Sequence, residues 1–280
     1  MKNKGDWLLL LAAAIGGGGF ISLKYLLDWG YSPYHIIFGR FLVAACGMGL
    51  FYFRQIPQIT KREWKTGGVL GAMLAAMFLL LTMGLQYTTP SVNAFLSNIP
   101  AVIVPFLCWG IFRKRPDRNC FIAAGMTGVG VAMLSLTADF RIDLGAALSL
   151  GAAVAFSLQM AFLGNLTEDC DAIHIALAEN IAVLVIAAAV VLLAGKAIPP
   201  LTLPAAGNFI FLGAFCTALY FILQSVGQRI TPPSKAAVII TSESIFAAII
   251  SALVYSERLS ARGLCGCALI FLAILLAEKR

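Results

Sequence analysis

Apolar runs long enough to cross a bilayer follow one another through this chain with little between them. Ten can be counted, at residues 7–27, 33–53, 67–87, 90–112, 119–138, 144–164, 172–194, 205–226, 233–255 and 260–277. A spanning helix needs about 20 apolar residues. Ten of them use most of the 280 residues and leave only short connections. Composition agrees, with 60% hydrophobic and 12% charged residues and a mean hydropathy of +0.91, where a soluble domain carries about 25% charge. Such a chain cannot coat a water-facing surface, so its solvent is lipid. The expected fold class is an all-α integral membrane protein with ten transmembrane helices.

The net charge of +7 does not point to nucleic acid, because the basic residues sit in short clusters between apolar runs, such as Lys61-Arg62 and Arg113-Lys114-Arg115. Clusters of that kind set membrane orientation. With the N-terminus inside, thirteen Lys and Arg fall on inside loops and tails and four on outside loops. Both termini are therefore expected in the cytoplasm, in the cytoplasmic (inner) membrane of a bacterium. The loop 165–171 carries no Lys or Arg, but acidic residues count little in the rule. Lys2, Lys4 and Ala12-Ala13-Ala14 imitate a cleaved signal peptide. The apolar stretch runs on to Leu27, so a retained first helix is expected. The seven cysteines lie mostly in apolar runs and read as small packing residues, not a disulfide framework.

The two halves resemble each other. Gly71-Ala72 matches Gly213-Ala214, and Thr89-Pro90 matches Thr231-Pro232. The run Ile15 to Ser22 sits opposite Gly151 to Ser157, which aligns Phe20 with Phe156; Phe78 aligns with Tyr220. Residues 1–141 and 142–280 thus form two five-helix repeats. An odd number of spans turns the second repeat upside down relative to the first. Inverted repeats of this sort build secondary transporters, with the binding site at the midplane between them.

Several stretches carry a family likeness. They are Ser32-Pro33 through Gly39-Arg40-Phe41-Leu42, Gly84 to Thr88 with Ile99-Pro100-Ala101-Val102, and Glu243-Ser244-Ile245-Phe246-Ala247-Ala248 to Ser256-Glu257-Arg258-Leu259-Ser260. Over its whole length the chain resembles the drug/metabolite transporter superfamily, in its ten-helix EamA-type branch. Two positions depart from that pattern: Ser244 stands where the family has proline, and Arg113-Lys114-Arg115 replaces a Gly-Glu pair. The resemblance implies movement of small organic metabolites, such as amino acids or amphipathic drugs. It also implies a central cavity lined by helices 1, 3, 4, 6, 8 and 9.

Ionisable groups inside a span are costly and are functional candidates by default. Glu243 lies eleven residues beyond Pro232, beside Thr241 and Ser242. A carboxyl there suits a proton-coupled carrier or a ligand for a substrate ammonium. Arg40 and Glu179 occupy related positions, each five residues after a histidine, His35 and His174. They are expected to form a buried pair joining the halves, or else to serve as gate or substrate ligands. Lys235 is two helical turns before Glu243 and could share its face, although snorkelling to the headgroups is the commoner fate. Pro100 and Pro105 are expected to kink the fourth helix. Ser97 and Asn98 precede Pro100 as Thr241 and Ser242 precede Ser244. Phe20, Phe156, Phe78 and Tyr220 suit the walls of a cavity for an amphipathic solute.

The glycine runs are not nucleotide loops. No Gly-Lys-Ser/Thr follows Gly16 to Gly19, and Gly125-x-x-Gly128-x-Gly130 follows no strand; close helix packing is expected at both. No His-Glu-x-x-His occurs, and two histidines make no metal site, so neither metal, cofactor nor enzymatic activity is expected. The reading is a secondary transporter, with export its expected direction, working by alternating access. Its expected partners are a small-molecule substrate, membrane lipid and protons, without nucleic acid and with monomer and homodimer both open. Two alternatives stand beside it: a flippase-like carrier of lipid-linked substrates, and a non-transporting structural or sensory membrane subunit.

Overall fold

The computed structural model describes residues 2–97, 99–113, 115–135, 143–167, 169–195, 197–257 and 260–278. Among them there is helix and no strand. The first half holds α1 (Lys2–Asp28), α2 (Pro33–Tyr52), α3 (Lys61–Leu85), α4 (Pro90–Ser97), α5 (Pro100–Phe112) and α6 (Arg118–Ser135). The second holds α7 (Leu144–Leu166), α8 (Ala172–Ala194), α9 (Leu203–Ile210), α10 (Tyr220–Ile230), α11 (Pro233–Thr241), α12 (Glu243–Val254) and α13 (Ala261–Glu278). A π-helical stretch, Phe211–Leu219, joins α9 to α10.

Local chemistry sets where these helices begin. Thr60 caps α3 in a reciprocal box with Glu63: the Glu63 amide donates to Thr60 Oγ1 at 3.2 Å, and the Thr60 amide donates to Glu63 Oε2 at 2.8 Å. This starts α3 six residues before the apolar run at 67. Asp171 caps α8 through the Ile173 amide at 2.8 Å. Ser32 caps α2, with Pro33 in the first turn.

Among the described residues, seven helical stretches are long and apolar enough to cross a membrane: Lys4–Asp28, Pro33–Tyr52, Lys61–Leu85, Pro90–Phe112, Leu144–Leu166, Ala172–Ala194 and Leu203–Ile230. Phe121–Met133, Ile239–Val254 and Ala261–Ala273 are apolar but shorter. Leu50, Phe51, Leu192, Leu193 and Leu253 are each at least 74% exposed. In water that surface would be a liability; in a bilayer it faces hydrocarbon.

Two of the expected spans are broken. In the fourth, Ile99 is not helical between α4 and α5; Asn98 lies outside the described residues. The ninth changes helix at Ser242, the position equivalent to Asn98 in the repeat alignment. Pro105, by contrast, sits inside α5 and the helix continues through it.

Exchanging the halves reproduces the packing. α6 packs on its counterpart α13, and α2 on its counterpart α8. α3 packs on α7 and α8, while the equivalent stretch 203–230 packs on α1 and α2. α1 packs on α11 and α12, as α7 packs on α4 and α5. Each half therefore holds the first helix of the other. The agreement reaches single atoms. A Cβ added to Gly71 would sit 2.8 Å from the Glu179 carbonyl oxygen, and one added to Gly213 would sit 2.6 Å from that of Arg40. The expectation for the glycines after Gly125 needs correcting. Gly130 touches α13, where a Cβ would meet the Gly266 carbonyl at 2.9 Å, but Gly125 and Gly128 have nothing within 4 Å.

Candidate functional site: a charged cavity between the halves

The break in the ninth span, the π stretch and the glycine run meet in one place. Gly16 and Gly17 let the start of α12 lie against α1. A Cβ on Gly16 would fall 2.6 Å from Glu243 Oε1, and one on Gly17 would fall 2.5 Å from Phe246 Cβ. Glu243, the first residue of α12, is thereby presented to a cavity between the halves. The Tyr220 hydroxyl donates to its Oε2 at 3.1 Å.

Arg40 lines the same cavity from α2. It is 3% exposed, and a buried guanidinium must find partners. The π stretch supplies them. Arg40 Nε donates to Thr217 Oγ1 at 2.8 Å and Nη2 donates to the Cys216 carbonyl at 2.9 Å. π-Helical turns widen the hydrogen-bond ladder and recur at functional sites. The guanidinium carbon also stands 4.2 Å from the centre of the Phe78 ring, within cation–π range. A guanidinium and a carboxyl thus share one cavity without closing into an ion pair, since no Arg40–Glu243 contact falls within salt-bridge distance among the described residues.

The remaining walls are apolar. Phe20 and Leu23 come from α1, Met77, Phe78 and Leu81 from α3, Phe156 from α7 and Phe221 from α10. Phe78 meets Phe41 and Phe221 edge to face, with centroids 5.2 and 5.9 Å apart. Ser97 adds a hydroxyl at the break of the fourth span and donates to the Asn93 carbonyl at 2.6 Å. The free volume is about 40 Å³, room for a few waters. An organic solute enters only if the helices part.

Of the expected site residues, Glu243, Ser97, Tyr220, Phe78, Phe20, Phe156 and Arg40 are brought together here. Thr241 and Ser242 do not line the cavity; Ser242 Oγ turns back on the Ile239 carbonyl at 2.6 Å. Arg40 and Glu179 are not partners. Each is engaged elsewhere, Arg40 by the π stretch and Glu179 through one oxygen only, Oε1, which accepts from Gln159 Nε2 at 2.9 Å. Lys235 does not line the cavity either; it forms an ion pair with Asp6 of α1 at 2.8 Å.

The chain's likeness to known proteins can now be set beside this geometry. The sequence pattern of the EamA-like transporter family matches residues 3–136 and again residues 143–278. The chain belongs to the EamA-like transporter family. A protein of Archaeoglobus fulgidus bearing the name "uncharacterized transporter" is 26% identical over 275 residues, covering 98% of this chain and 86% of that protein. A crystal structure of another protein is similar to it with a TM-score of 0.74 at 13% identity, over 99% of this chain and 97% of the other; at that identity it speaks for the fold alone. The EamA assignment makes the chain a membrane transporter and confirms the relationship read from its motifs.

Sequence reasoning missed several polar groups that this transporter buries. Glu257 Oε2 accepts from the Ser91 hydroxyl at 2.7 Å, tying the end of the ninth span to the start of α4. Glu63 Oε1 lies 3.1 Å from His174 Nδ1 and accepts from the Asp171 amide at 3.0 Å, joining the starts of α3 and α8. Gln159, Gln224 and Gln228 form a buried chain with Glu179. A signal for the last group was present in the sequence: two glutamines one helical turn apart inside an apolar run.

Proposed function

We propose that this protein is a secondary transporter of small zwitterionic metabolites, amino acids and similar amphipathic solutes, working by alternating access in the bacterial cytoplasmic membrane. The carrying observation is the pairing of Arg40 and Glu243 across one aromatic-walled cavity. Arg40 can receive a carboxylate through its planar fork. Glu243 can receive an ammonium or a proton. The rings of Phe20, Phe78, Phe156 and Tyr220 can pack an apolar body between the two charges. Residues 1–141 and 142–280 act as inverted five-helix repeats, ten spans in all, and rock about the site between them. The exchanged packing of the halves supports this, as do the two family matches. Export is the proposed direction.

Flux tests this reading. Proteoliposomes holding only this protein and preloaded with a labelled apolar zwitterion, such as leucine or phenylalanine, are expected to release it faster than empty liposomes. The corresponding amine and the corresponding acid, each lacking one charge, should compete weakly. Equal competition by a singly charged analogue would remove one half of the charge pair from the site.

Orientation follows from the charge bias. Single cysteines at residues 62 and 115, in an otherwise cysteine-free background, are expected to resist an impermeant thiol reagent added to intact cells. Labelling at 115 from outside would overturn the ten-span arrangement.

A further inference from the structure

A second polar track leaves the cavity along α10. Tyr220, Gln224 and Gln228 stand four residues apart and therefore share one face. Tyr220 meets Glu243 in the cavity. Gln224 Nε2 lies 3.2 Å from Gln228 Oε1 and 3.4 Å from Gln159 Oε1, and Gln159 Nε2 donates onward to Glu179. Glu179, Gln159 and Gln224 are fully buried. Gln228 stands in the last turn of α10, next to exposed Arg229 and Ile230.

The hydrogen-bond inventory of this track does not close. Glu179 Oε2, Gln224 Oε1 and Gln228 Nε2 are buried without a partner among the described residues. Buried groups of this kind are satisfied by ordered water. Glu179 also lacks a counter-charge among the described residues. On α2, Arg40 is engaged by the π stretch, while Tyr34 and His35 stand in the first turn, Tyr52 in the last, and Cys46 is exposed. On α3 the charges Lys61, Arg62, Glu63 and Lys65 cluster at the start, and Glu63 takes His174 of α8. On α10 the Tyr220 hydroxyl donates to Glu243 and Arg229 is exposed. α7 carries no charged residue. A lone carboxylate in such a place is far costlier than the neutral acid. A hard metal cation gathers about six oxygens, more than the free oxygens of Glu179, Asn180 and Gln224 provide.

We propose that Glu179 is a second proton-binding site, separate from the cavity, that exchanges its proton with the aqueous phase at the end of α10 through water held along Gln224 and Gln228. A proton passed along that water forms the Oε2–H bond, and its charge cancels that of the carboxylate. The transporter reading is needed only for the use of this proton, to drive or gate solute movement. Protonation itself can be tested without a substrate.

Infrared difference spectroscopy on the purified full-length protein in lipid reads the carbonyl stretch of a neutral carboxyl directly. The wild type is expected to show such a band during a pH titration, and Glu179→Gln is expected to lose it while Glu243→Gln retains it. Gln159→Met keeps the carboxyl but removes its donor. It should shift the band to higher frequency, and it serves if Glu179→Gln fails to fold. Gln224→Leu should keep the band but slow its shift in D2O about tenfold, equivalent to about 1.4 kcal/mol of added barrier. A band that survives Glu179→Gln would overturn the site. A band that responds to exchanging sodium for choline at constant pH would replace the proton with a metal cation. An unchanged D2O rate in Gln224→Leu would overturn the route.

Discussion

Glu243→Gln is expected to leave the protein folded and inserted while transport of a zwitterionic solute falls about 10- to 100-fold, the factor that follows from losing about 1.5–3 kcal/mol of charge-assisted hydrogen bonding. Glutamine keeps the shape and can still accept from the Tyr220 hydroxyl, 3.1 Å away in the native protein. It cannot ionise. The Arg40 hydrogen bonds to Thr217 and Cys216 do not involve Glu243, so the scaffold around the guanidinium should survive. If the carboxyl also carries a coupled proton, the pH dependence of the residual flux should flatten. The measurement is flux in proteoliposomes across a pH series, with monodispersity and thermal stability checked on the same preparation. A well-folded Glu243→Gln protein with native flux and a native pH profile would remove Glu243 from the site. The cavity would then rest on Arg40, Ser97, Tyr220 and the phenylalanines.

The parts of this molecule legible in its sequence are those fixed by period and by repetition. Apolar runs of spanning length announce the helices. The matched glycines and aromatics announce the two halves, and Phe20, Phe156, Phe78 and Tyr220 do converge on one cavity. What was hidden depends on backbone irregularity. Nothing in the composition of Phe211–Leu219 distinguishes a π stretch from an α-helix, yet that stretch supplies the partners of Arg40. Symmetry reasoning therefore matched Arg40 with its repeat equivalent Glu179, when the group opposite it in the cavity is Glu243. The glutamine chain escaped because amides carry no charge to flag them, although burying an amide without a partner is costly as well.

Gly213→Ala and Gly71→Ala are expected to be strongly damaging one-carbon changes, and about equally so. Alanine is ordinarily the better helix former by about 1 kcal/mol, so the default effect is a gain. At Gly213 the new Cβ would lie 2.4 Å from Val43 Cβ and 2.6 Å from the Arg40 carbonyl oxygen; at Gly71 it would lie 2.6 Å from Ala182 Cβ and 2.8 Å from the Glu179 carbonyl oxygen. In both cases an obstructing atom belongs to backbone, which cannot swing away, so two helices must separate. Overpacking of this kind costs about 1–3 kcal/mol, and in a membrane small residues at helix crossings are what allow the close approach. Gly68→Ala, on α3 but with nothing within 4 Å, should instead be neutral or slightly stabilising. Thermal unfolding of the three purified variants in one detergent decides the matter. The opposite order, with Gly68→Ala the least stable, would mean that the crossings of α3 with α8 and of the π stretch with α2 are looser than described. If Gly213→Ala alone also perturbs flux at temperatures where it stays folded, the displacement has reached Arg40, whose carbonyl it presses. Gly71→Ala would then perturb the infrared band of Glu179 and leave the cavity untouched, separating the two charged sites by the same substitution made in each repeat.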